Sequence, residues 1–554
     1  MYCNKKNVNI LTALLVRHGV RHIVVCPGSR NAPLVHNFSQ CDALVCHPAT
    51  DERSAGFLAL GLRQQCKSPV AVCVTSGSAL LNLLPAVAEA SYQHQGIIVI
   101  SADRPAAWID QLDGQTLPQP HALGDFAAVS VSLPEVDDDM TQAWYCNRLV
   151  NEAILANKRP GHPSVHINVP ISEPLFDFTV EELPEERMVR SGSWGESTVR
   201  DAVMKSFAES RRPMVVIGQL PPESALPAES IANLLGKAVI LSEPISMEGL
   251  PASYTDQMLA ALGGGAEAYH PDWVLFAGGH TVSKRLRRFL RTLSHETMQL
   301  MVSEDGKLRD ISQDTDWLIY ADAPEVLQSL SEQCIDSAKG EFIQLWDRLR
   351  KDVTARQSSF MPAYSQMLAV SRFESQARQD NALFYYANSM SVRLAALYAK
   401  GYCNCNRGVN GIEGSLSVAA GASLADESRR VYCVIGDLSF FYDQNALWQR
   451  LGGNLRILLL NNGQGAIFRT LDGLDKSPVR DTLISGGHET SARGACEEHN
   501  LGYRSATDSA SLEDGLRWLV HEDSERPLLL EVFTSADTDE KEYKRLYKYI
   551  VCGQ

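Results

Sequence analysis

The sequence predicts an α/β protein of three domains, each with a central, mostly parallel sheet flanked by helices. Three observations carry that expectation. Short apolar runs alternate with helical patterning through most of the 554 residues, the order that builds parallel sheets. One segment reads as a complete βαβ crossover: an apolar run over 431–435 ends in Gly436-Asp437, 443–451 has helical patterning, and a second apolar run over 455–460 ends in Asn461-Asn462. A chain of this length suits roughly three to four domains.

Taken in order, the first block (1–180) reads as helix over 11–18, strand over 23–26, helix over 54–62 and strand over 70–74. A helix over 79–89, a strand over 97–101 and a last strand over 165–169 follow, before an acidic linker at 181–186. The middle block (195–350) has strands at 214–217, 238–241 and 273–276, then a charged helix over 341–357. The third block (370–554) alternates again and ends with a strand over 528–533. Neither a short-period repeat nor a low-complexity tract interrupts this layout.

Composition narrows the function. Net charge is −15 with no long basic run, which argues against a nucleic-acid surface but leaves room for a local arginine cluster. The opening MYCNKKNVNILTALLV lacks the apolar core and cleavage site of a signal peptide. No stretch approaches the roughly 18 uninterrupted apolar residues of a membrane helix. Thirteen cysteines are scattered mostly in apolar strands, and Cys403-x-Cys405 has no second pair at zinc spacing. Reduced thiols in a cytoplasmic protein are expected.

The chemistry-bearing segments sit at predicted strand and helix ends. Asp437 and Asn462 would lie at the carboxyl ends of neighbouring strands, where open α/β sheets bind ligands. A carboxylate, an amide oxygen and backbone carbonyls make a hard oxygen site suited to Mg²⁺ shared with a phosphate. Alone, Gly-Asp and Asn-Asn are also ordinary strand-end turns. Cys26-Pro27-Gly28-Ser29-Arg30 follows a strand, and Glu52 enters a helix within Thr50-Asp51-Glu52-Arg53-Ser54-Ala55-Gly56. Val74-Thr75-Ser76-Gly77-Ser78 is a strand–turn–helix, without the first glycine of a Gly-x-Ser-x-Gly elbow. Ser101-Ala102-Asp103-Arg104-Pro105 ends another strand, with Gln115 and Gln119 in the Pro-rich loop beyond. In the third block, Asn388-Ser389-x-x-x-Arg393 marks a helix start, and a glycine-rich loop runs from Arg407 through Gly411-Ile412-Glu413-Gly414. No phosphate-loop lysine motif and no His-Glu-x-x-His occur.

Together these segments resemble the 2-succinyl-5-enolpyruvyl-6-hydroxy-3-cyclohexene-1-carboxylate synthases, thiamine-diphosphate enzymes of menaquinone biosynthesis. The marks are Pro27-Gly28-Ser29-Arg30, the Asp51 to Phe57 segment, Ala102-Asp103-Arg104-Pro105, the Asn406 to Gly414 loop and Gly436-Asp437-Leu438-Ser439. Leu438, where the wider superfamily carries glycine, fits this subfamily. Two departures stand out: Asn462 continues as Gly463-Gln464-Gly465-Ala466, and the Asp437-to-Asn462 spacing is slightly short.

The resemblance implies pyrimidine-binding (1–180), central (195–350) and diphosphate-binding (370–554) domains. It also implies a homodimer or dimer of dimers whose sites combine the first domain of one subunit with the third of its neighbour. Thiamine diphosphate with Mg²⁺ or Mn²⁺ is the implied cofactor. Glu52 would be catalytic, hydrogen-bonding the aminopyrimidine ring, and Ile412 would wedge the cofactor into a bent shape. Ser76, Gly77, Gly411, Gly436, Leu438, Ser439 and Ile467 would complete the cofactor site, and Asp437, Asn462 and the Gln464 carbonyl would hold the metal. The implied reaction decarboxylates 2-oxoglutarate and adds the succinyl-semialdehyde carbanion equivalent to isochorismate. Ser29, Arg30, Arg104, Gln115, Lys284, Ser389, Arg393, Arg407, Ile467 and Phe468 would contact these dicarboxylates, a task suited to planar guanidinium groups. No dinucleotide fingerprint points to FAD in the central domain. Two other readings stay open: another thiamine-diphosphate 2-oxo acid decarboxylase or acetolactate-type synthase, and a catalytically silent homologue acting as a binding protein.

Overall fold

The computed structural model describes residues 1–554 other than 66–67, 93–95, 160–161, 253, 264–265, 305, 334–339, 379–380, 409, 449–450, 472 and 553–554. Two compact units emerge from its packing, residues 1–192 with 305–318, and residues 193–304 with 319–554.

In the first unit, β1 (His22–Val25), β2 (Val45–Pro48), β3 (Val70–Val74), β4 (Ile98–Asp103), β5 (Val129–Ser132) and β6 (Val165–Pro170) form one sheet. Its order is β2-β1-β3-β4-β6-β5 and every pair is parallel. Alternation along the strands explains the continuous apolar runs. Ile23, Val25, Ala71, Cys73, Ile98 and Ile100 join the core beneath helices Lys6–Arg17 and Met140–Asn157. Val24, Val70, Val72, Val74 and Val99 join the opposite core, beneath Glu52–Gln65. Chain order reverses between β1 and β3, so a crevice opens at their carboxyl ends. The edge strands β2 and β5 escape sequence detection because edge residues are only partly buried. The helix expected over 79–89 is two helices, Ser78–Asn82 and Leu84–Tyr92. Pro85 has no N–H with which to continue the first of them.

Two further sheets follow along the chain. Strands β7 (Arg190–Ser193), β8 (Pro213–Ile217), β9 (Val239–Leu241), β10 (Trp273–Ala277), β11 (Met298–Val302) and β12 (Trp317–Tyr320) run in the order β7-β12-β11-β10-β8-β9, beginning ahead of the expected central block. Strands β13 (Leu383–Tyr386), β14 (Val431–Gly436), β15 (Leu455–Asn461), β16 (Gly502–Ala506) and β17 (Leu528–Phe533) run β13-β14-β15-β17-β16, all pairs parallel. Gly436 pairs with Leu460, which sets Asp437 beside the Asn461-Asn462 turn.

The crossover helix lies earlier than 443–451. An α-helix spans Asp437–Tyr442 and a 3₁₀ turn spans Gln444–Trp448, while 449–450 fall outside the described residues. The helix follows the strand directly from its N-cap Gly436, and the Asp437 side chain accepts the next backbone N–H, that of Leu438, at 2.7 Å. Among the described residues no helix is long and apolar enough to cross a membrane.

Candidate active site

At the carboxyl ends of β1, β3 and β4, the first unit gathers Ser29, Arg30, Ser76, Gly77 and Arg104. Ser29 is exposed, whereas the Arg30 side chain is buried. Arg30 Nη1 donates to the Ile171 carbonyl at 3.0 Å, and Nη2 lies 3.4 Å from the Glu173 carboxylate. Burial, reinforced by the nearby Arg104, lowers its pKa. Arg104 is held loosely: Nη1 lies 3.3 Å from both Ser76 Oγ and the Gln115 carbonyl, and Nε lies 3.5 Å from Asp113. Gln115 itself is exposed, with φ +55°.

Glu52 opens the helix Glu52–Gln65, half-buried, and its Oε2 lies 3.4 Å from Asn82 Nδ2. At that length the contact is weak, so the carboxylate retains capacity for a ligand.

The Ser76-Gly77 turn depends on Gln119, to which no sequence motif gives a role. Gln119 is fully buried; its Oε1 accepts from Gly77 N at 2.7 Å, and its Nε2 donates to Asn168 Oδ1 at 2.7 Å and the Ala102 carbonyl at 3.1 Å. Gly77 has φ +80°, and an added Cβ would sit 3.1 Å from the Gln115 carbonyl. Gly77→Ala should therefore destabilise the first unit by about 1–3 kcal/mol and weaken cofactor binding in parallel. Thermal unfolding with and without thiamine diphosphate measures both. An unchanged melting temperature would refute the strain argument.

In the second unit, the Asp437 carboxylate is buried and binds three backbone N–H groups. Oδ1 accepts from Leu438, while Oδ2 accepts from Asn462 at 3.1 Å and Gly463 at 2.8 Å. His488, which no motif announces, places Nε2 3.5 Å from the same Oδ2. The Asp437 carboxylate raises its pKa. His488 Nδ1 accepts from Thr490 N at 3.0 Å, so the neutral ring carries its proton on the Nε2 that faces Asp437.

Asn462 Nδ2 donates to Asp539 Oδ2 at 2.8 Å, which fixes the amide. Its Oδ1 is then buried without a hydrogen-bond partner among the described residues. Such an oxygen is costly to leave bare, and beside a carboxylate it suits a hard divalent cation. The residues present fit the metal that the resemblance implies. Gln464 follows in the same turn, its side-chain oxygen accepting from Arg469 Nε at 3.2 Å. Ile467 and Phe468 lie in the 3₁₀ turn Ala466–Thr470.

The glycine-rich loop is braced from Asn388. Its Nδ2 donates to the carbonyls of Asn406 at 2.6 Å and Gly411 at 2.7 Å, and its Oδ1 accepts from Arg407 Nη1 at 3.0 Å. Arg407 Nη2 donates to the Thr281 carbonyl at 2.9 Å. The Arg407 side chain is thus buried, with one bond from each terminal nitrogen, while its Nε has no hydrogen-bond partner among the described residues. Ser439 Oγ donates to the Ile412 carbonyl, tying that loop to the helix opened by Asp437.

A cavity of about 350 Å³ gathers Lys284, Arg393 and Ile467, together with Glu243, Arg285, Tyr543 and Tyr547. Arg393 Nη1 donates to the carbonyl of Ser389, whose φ is +68°. Buried Glu243 has its pKa pushed up to about 7 by desolvation, although Val282 N and Ser283 N donate to it at 2.6 and 2.7 Å. Sequence reasoning misses Glu243 and both tyrosines, which belong to no local motif.

Comparison with known proteins places these two half-sites in context. Residues 6–126 match the family model described as thiamine pyrophosphate enzyme, N-terminal TPP binding domain, and residues 388–532 match its C-terminal TPP binding domain counterpart. A protein of Phocaeicola vulgatus named 2-succinyl-5-enolpyruvyl-6-hydroxy-3-cyclohexene-1-carboxylate synthase is 42% identical over 555 residues, covering 97% of each chain. Proteins of the same name from Bacteroides fragilis (41%, 99% of each chain) and Desulfotalea psychrophila (34%, 96% of this chain and 98% of that one) agree. The chain belongs to this synthase family. It is accordingly a thiamine-diphosphate-dependent synthase. Glu52, Ser76 and Gly77 fall within the N-terminal match, and Asp437, Asn462 and Gln464 within the C-terminal one.

Proposed function

We propose that this synthase decarboxylates 2-oxoglutarate and joins the remaining four-carbon unit to isochorismate, a step of menaquinone biosynthesis. The observation that carries the reading is the cavity where Lys284, Arg393 and Ile467 meet. Its cations suit a dicarboxylate, and its apolar lining suits a ring.

Bound thiamine diphosphate supplies a thiazolium ring that accepts the electrons released by decarboxylation. Asp437, Asn462 Oδ1 and the Gln464 carbonyl would hold Mg²⁺ or Mn²⁺ and, with it, the diphosphate. Ser76, Gly77, Gly411, Gly436, Leu438 and Ser439 would shape the rest of that site, with Ile412 packed against the rings. Glu52 would hold a proton against the aminopyrimidine. Charge-assisted contacts from Arg30, Arg104, Lys284 and Arg393 would orient the substrate carboxylates, assisted by Ser29, Gln115 and Ser389. Ile467 and Phe468 would line the substrate pocket, and Arg407, which also braces Asn388, would add a further charge-assisted contact.

Carbon dioxide release from 2-oxoglutarate, measured with and without isochorismate and with product analysis, tests the reading. A product free of the isochorismate ring would refute it in favour of a simple decarboxylase. Arg393→Ala should raise KM for isochorismate by about 10- to 100-fold, the loss of one charge-assisted contact, while sparing cofactor affinity. An unchanged KM would remove Arg393 from the site. Assembly as a homodimer or dimer of dimers, and a cytoplasmic location, belong to the same proposal; sedimentation and cell fractionation check them.

A further inference from the structure

The C-terminal helix Ala536–Cys552 supplies Tyr543 and Tyr547 to the cavity wall. Tyr547 Oη donates to Asp256 Oδ2 at 2.6 Å. That carboxylate also accepts from Arg285 Nη1 at 2.6 Å and, through Oδ1, from Ser283 Oγ at 2.5 Å. Ser283 is the N-cap of the helix Lys284–Leu290, its Oγ accepting from Leu286 N at 3.0 Å. Asp256 thus reaches the start of that helix through one hydroxyl. Glu243 grips the same turn through two backbone N–H groups.

The remaining contacts keep this arrangement in place. The Arg285 guanidinium lies 4.5 Å from the centre of the Tyr547 ring, within cation–π range. Tyr543 and Tyr547 rings are 5.0 Å apart. Burial, with Tyr543 and Asp256 adding to it, raises the pKa of the Tyr547 hydroxyl well above its ordinary value, so it remains a donor. Arg285 is drawn onto Asp256, whereas Lys284, the adjacent residue, is exposed along the cavity. Its position is set by a helix start that Asp256 holds.

We infer that Asp256 and Tyr547 are positioning residues for Lys284, holding the Ser283–Lys284 turn so that the ammonium group meets a substrate carboxylate. The inference rests on the reading in which Lys284 binds isochorismate. It brings the C-terminal helix into substrate selection without giving either residue a direct contact.

A double-mutant cycle on the full-length holoenzyme tests it. Tyr547→Phe keeps the ring and its cation contact and removes one donor. It should raise KM for isochorismate by about 3- to 10-fold, with kcat and the KM for 2-oxoglutarate nearly unchanged. Asp256→Asn should act in the same direction, providing a second route if Tyr547→Phe folds poorly. In a Lys284→Gln background, whose own KM for isochorismate is raised, neither change should add a further increase. An additive effect, or none in the single variants, would overturn the positioning role while leaving the Lys284 reading intact. An unchanged KM in Lys284→Gln alone would overturn that reading, and the inference with it.

Discussion

Replacing Glu52 with glutamine is expected to cut turnover by about 10²–10⁴-fold, the usual scale for a positioned acid–base group, with thiamine diphosphate still bound. Glutamine keeps the size and one hydrogen bond but cannot share a proton with the aminopyrimidine ring. Exchange of the cofactor C2 proton for deuterium, followed by NMR after acid quench, should slow in parallel. A purely structural Glu52 predicts something else. An acid in the first turn of Glu52–Gln65 contributes about 0.3–1 kcal/mol through the helix dipole, so only stability would shift. The loose 3.4 Å contact to Asn82 favours the catalytic outcome, because among the described residues no strong internal partner competes for the carboxylate. Wild-type exchange rates in the variant would remove Glu52 from the mechanism, whatever happened to KM.

Asp437→Ala should abolish measurable binding of thiamine diphosphate with Mg²⁺ while leaving a folded protein. Two losses combine. The proposed cation would lose its charged ligand, the N–H groups of Leu438 and Asn462 would lose their acceptor, and that of Gly463 would keep only Asn461 Oδ1 at 3.0 Å. Bare N–H groups cost about 1–3 kcal/mol each when buried, so a lower melting temperature is expected alongside an unchanged circular dichroism spectrum. Asp437→Asn separates the two effects in part, since its one amide oxygen can replace either Oδ1 or Oδ2 as acceptor while its NH2 group faces the donors of the other. It should restore part of the stability and little of the cofactor binding. Calorimetry showing undiminished affinity in either variant would refute the metal assignment.

Residues differ in how plainly the chain announces their place. Strand ends are readable because burial on both faces writes continuous apolar runs, and the turn after each run is local. Asp437 and Asn462 pair on that basis alone, and β14 and β15 do lie side by side. The edge strands β2 and β5 are not readable, since half-exposed residues carry no such run. Helical patterning misplaces the crossover helix, which follows β14 directly from Asp437. The resemblance of its loop gives Arg407 a substrate contact; packing also turns it onto Asn388 and Thr281, partners that no local pattern names, the latter 126 positions away.

Local periodicity and short contiguous motifs suffice for the three-sheet α/β architecture, the strand-end positions of the candidate cofactor residues and the family. Which polar groups answer one another is settled only by packing in three dimensions. Gln119 accepting from Gly77, His488 facing Asp437 and Tyr547 held on Asp256 across 291 positions leave no local pattern. A buried donor requires an acceptor wherever packing brings one, and that partner is chosen by proximity in space, which chain spacing does not encode.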